Sequence, residues 1–584
     1  MNKTAVALIV LLALSLVLIL ISEPVNAQNS NIIRIKEDGT VTGTDKIRLY
    51  GSVYTVTGDL YASIGQNEAF IFIEKDNIVL NGAGYTVQGT GVGSAIYMLK
   101  SQNVTVEDFV IRGFSRGIDF GIVENLPSDT SYLNRPSAFN NQIRNNIIEA
   151  STNSDKNQTR NAGWCIYLND AIQTLISDNS FVCHNPAGGV YLGTLVRDTK
   201  LIDNDFAGGG IYSLRANQTA AKGNMIDGKP LIYLDGESNR VIEGAGLVYL
   251  FNCKDIVVKN VVPSYNYAVT IQLVDTARSE ISNSRGHVLL DNSSNISVHD
   301  NRLNSLILDA SSYNQVFANT ITDFGVCIKL YGGSSFNKIY SNLLLDTIYS
   351  VDAKRIQRGG GSTSAIQIGD IELGSAFNND IRGNRIVNHD CGFEFYLSSN
   401  NTLTANIVEN CTVGIRLGKS HENVVTENHL TACKYAISMY AGPNDNSFYY
   451  NNFINNQMHC VEVHHQTILS DKETYGVGNT WDNGKAGNYW DTYTGKDANG
   501  DGIGDIPYQV FENMIDYYPL IKPFETSNSN NPAPTYTPII TRPPSNEVPE
   551  GQLSKETKII IITGCIIFGV VGSLLAYFRR LIFR

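Results

Sequence analysis

Short apolar strands of one form recur through the first half of the chain, and their spacing leaves few folds open. Cys165-Ile166-Tyr167-Leu168, Gly189-Val190-Tyr191-Leu192, Gly210-Ile211-Tyr212-Ser213 and Leu231-Ile232-Tyr233-Leu234 follow one another, with steps of 24, 21 and 21 residues between their tyrosines. Ala95-Ile96-Tyr97-Met98 before them and Leu247-Val248-Tyr249-Leu250 after them share the pattern. Such a period is too long for a heptad and predicts a stacked solenoid. Side chains alternate along a strand, so if Ile166 and Leu168 face a core, Tyr167 faces out. Coils stack about 4.8 Å apart. Tyr97, Tyr167, Tyr191, Tyr212, Tyr233 and Tyr249 are therefore expected to form one outward ladder.

The second half repeats differently. Asn384-Arg385-Ile386-Val387-Asn388, Asn406-Ile407-Val408-Glu409-Asn410 and Asn451-Asn452-Phe453-Ile454-Asn455 share an Asn-x-x-x-Asn frame, with Asn428-His429-Leu430 in phase; the steps are 22, 22 and 23. Each frame precedes a strand such as Gly392-Phe393-Glu394-Phe395 or Gly414-Ile415-Arg416-Leu417. Asn tolerates left-handed turns and stacks as amide ladders. Charged residues are only 17%, which suits tight coils. A helical solenoid would need longer 3.6-period runs. The expected fold is all-β: a right-handed, single-stranded parallel β-helix of coils near 22 residues. The net charge of −12 argues against nucleic acid as a partner.

The chain divides by composition. Residues 1–27 read as a signal peptide, with Lys3, an apolar run from Ala5 to Ile21 and Val25-Asn26-Ala27 as the cleavage site. Residues 28–85 read as an N-terminal cap with the first coils, and 86–466 as β-helix repeats interrupted at Asn125 to Asn140, Ser151 to Ala162 and Lys354 to Ser364. Long loops on a regular rod tend to carry function. Residues 467–524, with Trp481 and Trp490, read as a C-terminal cap, and 525–557 as a Pro/Ser/Asn/Thr-rich linker. Within 558–584, Ile559 to Phe578 is apolar and long enough to span a bilayer, and Arg579, Arg580 and Arg584 place the tail inside. The expectation is a single-pass protein of the cell membrane with its bulk outside and its C-terminus in the cytoplasm.

These repeats resemble those of the β-helix domains grouped as carbohydrate-binding and sugar-hydrolase proteins, which include the NosD-type periplasmic copper-binding proteins. The cap, through Gly487-Asn488-Tyr489-Trp490-Asp491, Asp497 to Asp505, Pro507-Tyr508 and Asp516-Tyr517-Tyr518-Pro519-Leu520, resembles the ending of archaeal surface proteins with NosD-like repeats. The resemblance spans roughly 86–524. It implies the fold and a surface location; folds of this kind host many activities.

Several groups of residues are candidate sites. The tyrosine ladder presents rings with polar tips that suit an extended polysaccharide or cell-envelope glycan; the same ladder would also serve simply to steady the sheet. Asp119 lies in line with Tyr97 and Tyr167 beside the first interruption and is the candidate catalytic carboxylate. Neither the Gly-His-Gly of polygalacturonases nor the Asp-Pro-His-Asp of alginate epimerases is present, and no paired-carboxylate spacing can be read. Asp497, Asn499, Asp501 and Asp505, with the Ile503 carbonyl and Gly502 at the sixth position, match a calcium loop that lacks the twelfth-position Glu. Met458, His459, Cys460, Glu462, His464 and His465 suit copper, and alternation places Cys460, Glu462 and His464 on one face. Cys411 and Cys433 stand at equivalent positions in successive coils, within reach of a disulfide. Asn103, Asn292, Asn295, Asn400 and Asn410 are among the glycosylation sequons.

The leading expectation is a surface protein that binds polysaccharide or serves as a structural module. The alternatives are a NosD-type copper accessory protein and a polysaccharide lyase, epimerase or hydrolase.

Overall fold

The structure, a computed structural model, describes residues 32–98, 100–121, 136–151, 163–183, 188–213, 220–264, 269–322, 325–346, 363–462 and 478–525. They fall in one compact unit. Every regular element among them is a β-strand, and the chain winds these into stacked coils paired almost throughout in parallel. The expected signal peptide, most of the linker and the expected membrane span lie outside the described residues. Among the described residues no helix is long and apolar enough to cross a membrane.

The Asn-x-x-x-Asn frame divides its two asparagines between two tasks. The first is buried and forms a ladder: Asn301, Asn319, Asn342, Asn384, Asn406, Asn428 and Asn451 each donate an amide hydrogen to the Oδ1 of the next asparagine, at 2.9–3.0 Å, ending on Asn488. Each also satisfies backbone of its own stack; Asn406 Nδ2 donates to the Ile381 carbonyl, and its Oδ1 accepts the Asn384 N–H. The ladder thus supplies buried turns with partners that water would otherwise provide. The second asparagine sits on a corner with positive φ, as at Asn388, Asn410 and Asn455. Asn103, Asn292, Asn295 and Asn400 occupy such corners too, so turn chemistry alone accounts for the Asn in these sequons.

The tyrosine strands from Tyr97 to Tyr249 were expected on one outward face, and the structure corrects this. The sheet carrying the first tyrosines ends with Ile211–Ser213. Lys229–Asp235 then pairs antiparallel with Met225–Ile226 and parallel with Leu247–Phe251, which opens a second stack. These two strands form a wall with an apolar residue on both faces. Leu231, Tyr233, Leu247, Tyr249 and Phe251 join the core of the N-terminal coils. Val248 and Leu250 join the core of the C-terminal coils, with Ile232 and Leu234 packed against it. Four alternating apolar residues in a row look the same in sequence whether they have a core on one side or on both.

Both ends are covered. At the N-terminal end, antiparallel pairs (Ile33–Ile35 with Val41–Thr42, Ile47–Tyr50 with Val53–Val56) close the first coils. At the other end, Trp481 stacks on Phe448 at 4.5 Å and Trp490 on Phe453 at 4.3 Å. Asp516 ties this cap down: it accepts hydrogen bonds from Asn488 N, Trp490 Nε1 and Tyr518 N. Its burial pushes the carboxyl up to about 6 against those donors.

Candidate functional site

The N-terminal coils present one sheet whose outward positions align in register: Arg34, Phe72, Tyr97, Asp119, Tyr167, Tyr191 and Tyr212. A second outward column holds Ala69, Ser94, Arg116 and Trp164. In sequence, the interruptions at Asn125 to Asn140 and Ser151 to Ala162 adjoin strands of this same sheet.

The ladder is shorter than expected. Tyr97 is 2% exposed and packs on Phe72, 5.1 Å between ring centres, so it belongs to a small core. Tyr233 and Tyr249 are buried in the wall described above, because the sheet they continue faces the N-terminal core. Tyr167, Tyr191 and Tyr212 remain. Their rings stack almost parallel, at 4.4 Å and then 5.8 Å, and Tyr212 is 41% exposed. Trp164 abuts Tyr191 and Tyr212 at 5.3 and 5.9 Å. Burial pushes the Tyr191 phenol up to about 12, so its hydroxyl stays neutral.

Asp119 takes the expected place in line but is fully buried. Its Oδ2 accepts from Ser94 Oγ at 2.6 Å and Arg116 Nη1 at 3.0 Å, and its Oδ1 accepts from Gly121 N at 2.7 Å. Arg116 in turn lays its guanidinium over the Tyr167 ring at 4.1 Å. With both oxygens engaged and its charge neutralised, Asp119 is placed to hold Arg116 under the first ring of the stack. A Cβ on Gly121 would come within 2.9 Å of the carboxylate and 3.0 Å of the Tyr167 ring, so a side chain there would crowd the cluster where the chain crosses it.

Arg116 and Trp164 were missed because strict alternation conceals them. Cys165 and Ile166 both turn inward, as Gly117 and Ile118 are both buried between Arg116 and Asp119. Two consecutive inward residues bring positions three apart onto one face, a departure that period two does not signal.

The C-terminal coils continue an outward column through Gln272, Leu289, Ile307, Lys329, Gln367, Glu394, Arg416 and Ser438. Here charges are matched: Lys329 with Asp370 at 2.7 Å and Arg416 with Glu394 at 3.0 Å. The column passes to Val461, one residue from the expected Glu462. Cys460 pairs with the inward Ile437 and is itself buried in the core. The expected copper face of Cys460, Glu462 and His464 is thus out of phase by one residue, and His464 lies outside the described residues. Among the described residues no group of three or more His, Cys, Asp or Glu side chains is placed to hold a metal ion.

In the loop expected to bind calcium, Asp497 accepts hydrogen bonds from the N–H groups of Gly500, Asp501 and Gly502. Asp501 accepts from Ile503 N and from Asn499 Nδ2, and Asp505 accepts from Ala498 N. These residues close the turn on itself, and their acidic groups do not gather as a metal set. Cys411 and Cys433 are buried, free thiols in this structure, not the expected disulfide, and the hydrogen bond from their contact pushes the Cys411 thiol up. Cys165 and Cys183, on different strands, meet with Sγ atoms 3.5 Å apart, a contact that sequence spacing does not announce.

The family model for the periplasmic copper-binding protein NosD matches residues 207–358 and 367–495. It covers the C-terminal coils and leaves the tyrosine sheet almost entirely outside. No curated protein matches the chain. Among solved structures, the Dettilon tailspike protein is 12% identical with a TM-score of 0.29, over 55% of this chain and 62% of that one. The periplasmic alginate epimerase AlgG is 11% identical with a TM-score of 0.25, over 74% and 80%. A tailspike of E. coli bacteriophage HK620, solved with a pentasaccharide, is 10% identical with a TM-score of 0.24, over 74% and 71%.

Proposed function

We propose that this NosD-like parallel β-helix protein binds an extended polysaccharide along the outward face of its N-terminal coils. The supporting observation is the in-register stack of Tyr167, Tyr191 and Tyr212 beside Trp164. Because the rings face each other, they offer a ligand their edges and a row of hydroxyls more than their faces. Each hydroxyl is both donor and acceptor, repeated once per coil along the rod. Tyr212, in the last strand of the sheet, adds ring surface for stacking. The glycan reading extends to location: residues 1–27 and 559–578 support export and anchoring, which puts the face toward the cell envelope.

Copper is the second reading, favoured by the description of the matching family. It would be recognised by a stoichiometric, chelator-reversible copper signal on the purified protein. Calcium at Asp497 to Asp505 would act structurally, and a fall in melting temperature with EDTA is its test.

The test of the main reading is a binding assay of the full chain against a polysaccharide panel, repeated with Tyr191→Ala/Tyr212→Ala. Removing two rings is expected to weaken binding about tenfold or more, with the far-ultraviolet spectrum unchanged. Equal binding by the variant would contradict the proposal.

A further inference from the structure

Recognition of a sugar carboxylate calls for arginine or lysine whose charge is available to the ligand. On the tyrosine face the cations described are all matched. Arg116 is bound to Asp119 at 3.0 Å and covered on one side by Tyr167. Arg34, in the same column, pairs with Glu74 at 3.0 Å, and Lys100, at the end of the Tyr97 strand, pairs with Asp170 at 2.6 Å. The outward column of the C-terminal coils repeats this through Lys329–Asp370 and Arg416–Glu394.

These pairings are hard to exchange. Asp119 is fully buried, so a ligand carboxylate that drew Arg116 away would leave a buried anion without its counter-charge. Among the described residues, what the face offers in place of charge is the hydroxyls of Tyr167, Tyr191 and Tyr212 and the flank of Trp164. The chain's net charge of −12 also repels polyanions at long range.

Resting on the glycan reading above, we infer that the ligand of this face is a neutral, hydroxyl-rich glycan and that polyuronates are excluded. The Arg116–Asp119 pair, with its carboxylate fully buried, is the device that excludes them: it keeps a guanidinium for packing against Tyr167 while cancelling the charge that would attract a carboxylate.

The experiment compares the full chain's binding to neutral glucans, mannans and galactans with its binding to polygalacturonate and alginate, each at low and high salt. A third arm uses the same polyuronates after chemical reduction of their carboxyl groups to alcohols. Neutral glycans are expected to bind with little salt dependence. Polyuronates are expected to bind at least tenfold more weakly, and carboxyl reduction is expected to restore binding. Preferential binding of the unreduced polyuronates, weakening steeply with salt, would overturn the inference while leaving the glycan reading in place. Absence of binding in every arm would overturn both. In an Asp119→Asn variant that remains folded, the freed charge of Arg116 is expected to raise polyuronate affinity severalfold; an unchanged ratio of polyuronate to neutral binding would also count against the inference.

Discussion

Asp119 illustrates how burial redefines a residue's role. Its position in line with Tyr97 and Tyr167 was legible in the sequence, since all three strands share one form. Its bonds to Ser94, Arg116 and Gly121 were not legible, because they depend on paired inward residues that place Arg116 on the same face. Replacing it by alanine removes the acceptor of Ser94 Oγ and Gly121 N and frees Arg116, and buried donors left unpaired cost about 1–3 kcal/mol. Asp119→Ala is therefore expected to lower the melting temperature by several degrees, read by calorimetry, whereas Asp380→Ala, whose Arg382 partner is exposed, should change it little. His389 is a second residue defined by burial, which pushes its imidazole down to about 4. The unfolded chain takes up the proton near pH 6.5 and the folded chain only near 4. Stability from neutral His389 is thus complete above about 6.5 and is lost as pH falls toward 4, by about 3 kcal/mol. Asp516, raised toward 6, works in the opposite sense, losing its contribution as pH rises through that value. The contribution of His389 is therefore read as the difference between wild type and His389→Gln in melting temperature at pH 7 and pH 4.5. The acid loss is expected to be smaller in the variant.

At the level of elements, the asparagine frame was plain in the sequence, but its division of labour was not. Spacing shows that Asn384, Asn406 and Asn428 recur; only stacking shows that their amides bond through the core while Asn388 and Asn410 hold exposed corners. Asn428→Ala removes the acceptor of Asn406 N and Nδ2 and leaves buried donors unpaired, at about 2–3 kcal/mol. Asn410→Ala asks alanine to hold a positive φ at the surface, at about 1 kcal/mol. Urea unfolding of the two variants should rank them in that order; equal losses would contradict the ladder's role. The strands Lys229–Asp235 and Leu247–Phe251 were read correctly as strands but placed in the wrong sheet. Tyr233→Ala/Tyr249→Ala opens cavities in the N-terminal core against the shared wall, and is expected to unfold the N-terminal coils first and so split a single thermal transition into two, seen by calorimetry.

For the whole molecule, the solenoid class followed from periodicity alone, because a 22-residue repeat of short strands has few other ways to bury its apolar side. The change of stack at Ile226 was not legible at that point, since Tyr212 to Tyr233 keeps the 21-residue step across it; the shortening to 16 residues comes only afterwards, from Tyr233 to Tyr249. That change divides the molecule in a way that matters for function. The family match lies over the C-terminal coils, where outward charges are paired, while the aromatic row belongs to the N-terminal coils. That row is the proposed contact surface. The measurement that tests it most directly is oxidative footprinting of the full chain with and without a bound neutral glycan, read tyrosine by tyrosine. Protection of Tyr212 and Tyr191 is expected, with Tyr313 and Tyr50, which are exposed elsewhere, unchanged. Protection at Tyr313 or Tyr50 with none at Tyr212 would place the ligand on another face and contradict the claim.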